Sequence, residues 1–258
     1  MAVYGRFEQD GETAWGELED GWVMEIRDIF GLRQRTGRDF AVGAVKMLPP
    51  CEPSKVLAVG QNYASHLQGR PVPTVPPIFY KPVSCIVGTE AEIVLPPDAT
   101  DAHYEGELVV MVGKRLRNAS KEEAAEAVFG LTCGNDVSER VWQKGKGPDG
   151  AGKDVQWWRA KGCDTFGPVG PWVVTGLNPD NLRLDTRVNG ETVQCGRTSE
   201  LIFSVAEVLA FASRYVTLEP GDILYTGTPG VTKAMKPGDV VEVEIEGIGV
   251  LRNRVVAG

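Results

Sequence analysis

Apolar and polar positions follow three distinct patterns along this chain. In 240-VVEVEIEG-247, Val241, Val243 and Ile245 share one face while Glu242, Glu244 and Glu246 share the other. That period of two predicts a strand with one solvated face. In 108-LVVMV-112 every position is apolar, which predicts a strand covered on both faces. The runs 55-KVLAVG-60, 78-IFYK-81 and 222-DILYT-226 predict further strands. Helical periodicity is confined to two stretches. In 199-SELIFSVAEVLAFASRY-215 the apolar positions 201, 205, 208, 209 and 212 form one stripe. The other, 121-KEEAAEAVFG-130, follows a Ser120/Glu123 capping box and is expected to end at Gly130.

Residues 1–50 read as short strands joined by tight turns at Gln9-Asp10-Gly11 and Glu19-Asp20-Gly21. Three prolines within 48-LPPCEPSK-55 then suggest a boundary. The expected organisation is a small β-rich subdomain, 1–50, followed by a main domain, 51–258. The segment 61-QNYASHLQG-69 has room for one or two helical turns, and prolines at 71, 73, 76 and 77 exclude regular helix beyond it. Strands, helix, strands, helix and strands in that order predict an α+β fold with a mixed sheet folded on itself.

Composition narrows the function class. The 258 residues carry a net charge of −8 and no basic block, which argues against nucleic acid or an anionic membrane as partner. No apolar run approaches the roughly 20 residues of a membrane span, and MAVYGRFEQDGE has charges where a signal peptide needs an apolar core. Five scattered cysteines without a C-x-x-C pair fit free thiols in a reducing, cytoplasmic setting. Only two histidines are present, which disfavours a His-rich zinc site.

The candidate chemistry begins at 103-HYEGELVVMVG-113. Glu105 and Glu107 are two apart, so in an extended chain both point to one face, roughly 7 Å from each other. Unlike the glutamates of 242–246, their face continues into Val109 and Met111. Two like charges at the mouth of a core resist burial unless a hard cation such as Mg²⁺, Mn²⁺ or Ca²⁺ lies between them. Asp136 occurs in a turn-prone Gly-Asn-Asp, where it is either a turn residue or a third carboxylate ligand. The loop 145-GKGPDGAGKD-154 resembles a phosphate-binding loop, but Asp154 stands where the motif needs a hydroxyl, so a Gly-rich lid explains it better. Lys161 lies among aromatics and either snorkels or neutralises a substrate carboxylate. In 225-YTGTPGV-231 the Thr228 hydroxyl and backbone N–H groups either form a tight turn or cradle an anion.

Six motifs in this order, Asn62-Tyr63-x-x-His66, Phe79-x-Lys81-Pro82, Glu105-x-Glu107-Leu108, Asn135-Asp136-Val137-Ser138-x-Arg140, Lys161 before Asp164-x-Phe166-x-Pro168-x-Gly170-Pro171, and Pro220-Gly221-Asp222-Ile223-x-x-Thr226-Gly227-Thr228-Pro229, span about residues 55–255. Together they resemble the fumarylacetoacetate hydrolase family, in the form of its short, bacterial-type members. The resemblance implies a β-sandwich roll with peripheral helices, usually a homodimer. It implies a Mg²⁺ or Mn²⁺ site at Glu105, Glu107 and Asp136. It also implies substrate contacts from Arg140, Gln143, Lys161 and Thr228, with Tyr63 and His66 in a segment that folds over the ligand. His66 and Lys161 are the implied catalytic groups. The implied substrates are 2-oxo acids. Hydrolytic C–C cleavage of acylpyruvate-like compounds comes first, with oxaloacetate-type decarboxylation or isomerisation and tautomerisation as alternatives. A metal-binding protein without catalysis is the alternative from another class. One departure stands out: short members of the family carry Glu three residues after that histidine, where this chain has Gly69. Without it, His66 would act with Gln68 or with a carboxylate from elsewhere.

Overall fold

The structure, a computed structural model, describes residues 1–145 and 154–258. Two sheets pack face to face. The larger, of twelve strands, begins with an antiparallel meander of Val3–Gln9, Glu12–Glu19, Trp22–Arg27 and Gln34–Ala41. Val3–Gln9 joins it to Gly167–Val174, and the order then runs Val128–Asn135, Gly106–Val112, Ile223–Tyr225, Val56–Val59 and Ile78–Lys81. The first fifty residues therefore extend the same sheet that carries the central strands. The second sheet has five strands, in the order Glu191–Arg197, Arg183–Val188, Val240–Ile245, Gly249–Ala257 and Glu92–Leu95. Pairings are mixed: Ile223–Tyr225 runs parallel to Val56–Val59, whereas Gly106–Val112 is antiparallel to both neighbours. This is a mixed α+β fold of sandwiched sheets with helices at the periphery.

Gly106–Val112 is buried at every position because it separates two apolar layers. Leu108 and Val110 meet Leu184, Val243, Ile245 and Leu251 of the second sheet, with Val208 and Leu209 from the helix Val205–Ser213 closing the layer. Val109 and Met111 face the other way, toward Val169, Val173 and Tyr225. In Val240–Ile245 the expected alternation holds: Val241, Val243 and Ile245 are buried. The glutamates between them, Glu242 and Glu244, pair with Arg187.

Two helix boundaries differ from the sequence expectation. The capping box of Ser120 and Glu123 is formed, but that helix covers only Lys121–Glu126. Gly130 does not end it; it lies in the strand Val128–Asn135, where a Cβ would come within 2.4 Å of Val173 Cγ1. Neighbouring strands, not helix termination, demand glycine there. The second helix starts later than its apolar stripe suggests, at Val205, because Ser204 and Glu207 form a second capping box. Among the described residues no helix is long and apolar enough to cross a membrane.

Candidate active site

Antiparallel register builds the centre of the site. Gly106 pairs with Asn135 and Glu107 with Gly134, which brings residues 105 and 136 opposite each other just beyond the ladder. The Asp136 N–H donates to the Glu105 carbonyl at 2.9 Å, and the Glu105 N–H donates to Asn135 Oδ1 at 2.9 Å. One carboxylate oxygen from each of Glu105, Glu107 and Asp136 falls within 4.8 Å of the others. All three residues are buried, Glu107 and Asp136 to 1 % exposure. Nearby, Gly227 donates its N–H to Glu107 Oε2 at 2.7 Å. Gly227 has φ +107, and a Cβ would approach Asn62 Cβ to 2.8 Å, so only glycine brings this N–H so close.

Three cations surround the carboxylates. Lys161 Nζ bridges Glu105 Oε2 at 2.6 Å and Asp136 Oδ2. Lys81 Nζ bonds Asp136 Oδ1 at 2.6 Å and the Phe166 carbonyl at 3.1 Å, and also reaches the Lys161 carbonyl. Arg140 donates to Glu105 Oε1, to Thr232 Oγ1 at 3.0 Å and to Gln143 Oε1 at 2.9 Å.

The environments separate these groups. Burial opposes ionisation of Glu105, but Arg140 and Lys161 beside it hold its carboxyl far below the usual range. Burial pushes the Glu107 carboxyl well up, and Asp136 and Glu105 push it further. Among the described residues Glu107 has no ion pair, only the Gly227 N–H. Burial would lower Lys81, yet Asp136 against it keeps the ammonium above its ordinary value. Three convergent carboxylate oxygens, one of them lacking a cationic partner, are a donor set that fits a hard divalent ion.

A cavity of about 730 Å³ opens onto this cluster, and Glu105, Glu107, Arg140, Gln143, Lys161 and Thr228 all border it. His66 borders it too, from the short helix Ala64–Leu67. Tyr63 is placed differently. It is fully buried, does not border the cavity, and its hydroxyl has no hydrogen-bond partner among the described residues. The Thr228 hydroxyl donates to the Gly106 carbonyl at 2.8 Å and accepts from Gln194 Nε2 at 2.8 Å. Its proton is thus committed to Gly106, while its oxygen links this sheet to Gln194 of the second. The Gly-Lys loop at 146–153 lies outside the described residues.

The question raised by Gly69 has a structural answer. His66 Nδ1 lies 2.7 Å from the Gly230 carbonyl, and Nε2 lies 3.8 Å from Glu105 Oε1. A backbone carbonyl orients the ring, and the carboxylate nearest to it comes from the metal-type cluster. Gln68, offered as a partner from sequence, is exposed in the left-handed region with φ 51. Gly69 has φ +82, and a Cβ there would meet nothing within 4 Å. Gly69→Glu should therefore cost ~1–2 kcal/mol of stability through backbone strain without raising the rate. Chemical denaturation and a turnover assay check this; a tenfold faster Gly69→Glu enzyme would show that the ring lacks a partner.

Sequence reading missed a second histidine at the site. His103 places Nε2 2.9 Å from Asp101 Oδ1 and Nδ1 2.9 Å from Thr232 Oγ1, and Thr232 accepts from Arg140. Its position two residues before Glu105 was the available signal. Lys81 had a signal as well, as a charge ending an apolar strand. Gln194, which accepts from the Gly106 N–H at 3.1 Å across 88 residues, had none.

Residues 55–256 match the family described as Fumarylacetoacetate (FAA) hydrolase C-terminal. The chain belongs to this family. Residues 4–50 match a second one, Rv2993c-like, N-terminal. Oxaloacetate tautomerase FAHD2A, mitochondrial, of Homo sapiens is 42% identical over 222 residues, 81% of this chain and 69% of the relative. The crystal structure of 2-hydroxyhepta-2,4-diene-1,7-dioate isomerase from Mycobacterium marinum has a TM-score of 0.90 at 40% identity, covering 100% of this chain and 99% of that one. Maleylpyruvate hydrolase from Sphingobium sp. SYK-6, solved with manganese(II) ion and pyruvate, has a TM-score of 0.81 at 27% identity, covering 100% of both chains. This member of the fumarylacetoacetate hydrolase family is thus related to hydrolases and isomerases that act on keto acids. Shared fold does not choose among their reactions.

Proposed function

We propose that this chain is a divalent-metal-dependent tautomerase or isomerase of 2-oxo acids. Its reaction moves a proton between the carbon beside the oxo group and a second position, leaving the carbon skeleton intact. The observation that carries this reading is the His66 ring. The Gly230 carbonyl can only accept, so Nδ1 holds the ring proton and Nε2 keeps its lone pair. Burial lowers the ring's pKa against the opposing pull of Glu105, which keeps the base neutral at pH 7.

Glu105, Glu107 and Asp136 are the residues that would hold Mg²⁺ or Mn²⁺, which supplies Lewis-acid stabilisation of the substrate's enolate oxygen when bound. Arg140, positioned by Gln143 and Thr232, presents guanidinium to the substrate carboxylate, and Lys161 adds positive charge beside the oxo group. His66 Nε2 takes the proton from carbon and returns it. A carbonyl behind an imidazole stabilises the imidazolium less than a carboxylate would. Such a base suits an acidified C–H better than water, whose activation C–C hydrolysis requires. The similarity to an oxaloacetate tautomerase over 81% of the chain supports the same reading.

Oxaloacetate and acetylpyruvate, each with Mn²⁺ in D₂O, test it by NMR. Deuterium entering the carbon beside the oxo group faster than with metal alone, with no carbon fragments formed, is the expected result. Acetate and pyruvate released from acetylpyruvate as the main products would identify a hydrolase and overturn the proposal. No reaction above the metal background would point to binding without catalysis.

A further inference from the structure

Behind Arg140 runs a hydrogen-bonded chain that ends on two residues with no part in the reaction above. Arg140 Nη2 donates to Thr232 Oγ1 at 3.0 Å as well as to Glu105 Oε1. Thr232 Oγ1 lies 2.9 Å from His103 Nδ1, and His103 Nε2 lies 2.9 Å from Asp101 Oδ1. Arg140 and Thr232 are both buried. The backbone brings these groups together. Ala102–His103 pairs with Ser138–Glu139, and His103 also bridges Ala234. The Met235 N–H donates to the Ala102 carbonyl at 2.8 Å, and the Arg140 N–H donates to the Asp101 carbonyl at 3.0 Å.

The chain has one direction. The Asp101 carboxylate accepts, so Nε2 carries a ring proton. Thr232 has a single hydroxyl proton, and Arg140 can only donate to its oxygen. Among the described residues His103 Nδ1 is the one acceptor left for that proton. The proton therefore points to the ring, and the lone pairs of the hydroxyl turn to the guanidinium. Both ring nitrogens are engaged within the protein, so His103 has no donor to offer a ligand although it borders the cavity. Without the ring, the hydroxyl is free to rotate its proton toward Arg140. Glu105 and Gln143 would then be left to set the direction of the guanidinium.

We propose that His103, fixed by Asp101, is a positioning residue that aims Arg140 at the substrate carboxylate through Thr232. This rests on the reading above, in which Arg140 takes that carboxylate.

Calorimetric binding of pyruvate to the Mn²⁺-loaded protein tests it, beside binding of Mn²⁺ to the metal-free protein. His103→Ala should weaken pyruvate about tenfold, the value of one charge-assisted hydrogen bond, and leave Mn²⁺ affinity within about twofold. Thr232→Val should do the same. The double variant should bind pyruvate no more weakly than either single one, because both act through one bond. His103→Asn keeps an oxygen acceptor beside the hydroxyl and should restore most of the affinity. Thermal unfolding controls for folding. If His103→Ala does not fold, His103→Phe, which keeps a ring and no nitrogen, takes its place. Unchanged pyruvate affinity, equal loss of Mn²⁺ and pyruvate, or additive losses in the double variant overturn the positioning role and leave the 2-oxo acid reading standing. Wild type that binds no pyruvate with Mn²⁺ present overturns that reading and this role with it.

Discussion

Glu107→Ala is expected to lose metal and activity together, and EDTA-treated wild type to stay inactive until Mg²⁺ or Mn²⁺ is returned. Stabilisation of an enolate by a divalent ion is worth several kcal/mol, so the loss should be about 10³-fold or more. Glu107 is the informative ligand because Glu105 and Asp136 are already paired with Arg140, Lys161 and Lys81. Of these three carboxylates, Glu107 is the one with no ion pair among the described residues, and its pKa is raised by burial and then by Asp136 and Glu105.

That imbalance also gives a test independent of turnover. The native pKa of Glu107 lies above its unfolded value, so between the two values the unfolded chain has released a proton that the native carboxyl retains. Stability of the metal-free protein then falls as pH rises through that window, and the full penalty is present above the native pKa. Gln cannot ionise. Metal-free Glu107→Gln should consequently melt higher than metal-free wild type at neutral pH, and the gap should close as pH falls toward the unfolded value. Added Mn²⁺ should raise the melting temperature of wild type but not of Glu107→Gln. A metal-free Glu107→Gln protein that melts lower at every pH would mean the carboxylate is already compensated, and the cluster would need no added ion.

His66→Ala carries the second large effect. Removing a general base typically costs ~10²–10⁴-fold, and that is the expected drop in deuterium exchange beside the oxo group. The background loss of CO₂ from oxaloacetate with Mn²⁺ alone needs no base, so the variant should leave that background unchanged. The pH profile supplies the sign. His66 is active while neutral, and burial lowers its pKa below the ordinary 6.5. The exchange rate should therefore fall only on the acid side, below pH 6.5, and His66→Ala should remove that limb. Efficient acylpyruvate hydrolysis abolished by His66→Ala would instead show that this imidazole activates water, with Glu105 in the role left open by Gly69.

Much of this was legible along the chain. Side-chain direction in a strand is set by the strand's own period, so two glutamates spaced by two had to share a face, and the unbroken run after them had to be buried on both sides. Capping at Ser120 depends on residues three apart, and it formed as the sequence indicated. The six ordered motifs identified the family because each is local. Gly130 was misread for the opposite reason: its lack of a side chain answers to Val173, a strand 43 residues away.

Tertiary structure alone decided which charges meet. Lys81 reaches Asp136 across 55 residues, and Lys161 reaches Glu105 across 56. Neither spacing leaves a periodic trace, because strands paired by the sheet need not be neighbours in sequence. The replacement for the carboxylate missing at residue 69 is a backbone carbonyl at Gly230, 164 residues from His66. Every residue has such a carbonyl, so no side-chain pattern could point to it. The sequence by itself determined the carboxylate pair, the strand that buries it and the histidine. Packing two sheets around them determined that, of the three carboxylates, Glu107 has no ion pair among the described residues and that the histidine's free nitrogen faces the cluster, since both depend on which distant groups occupy the same low-dielectric space.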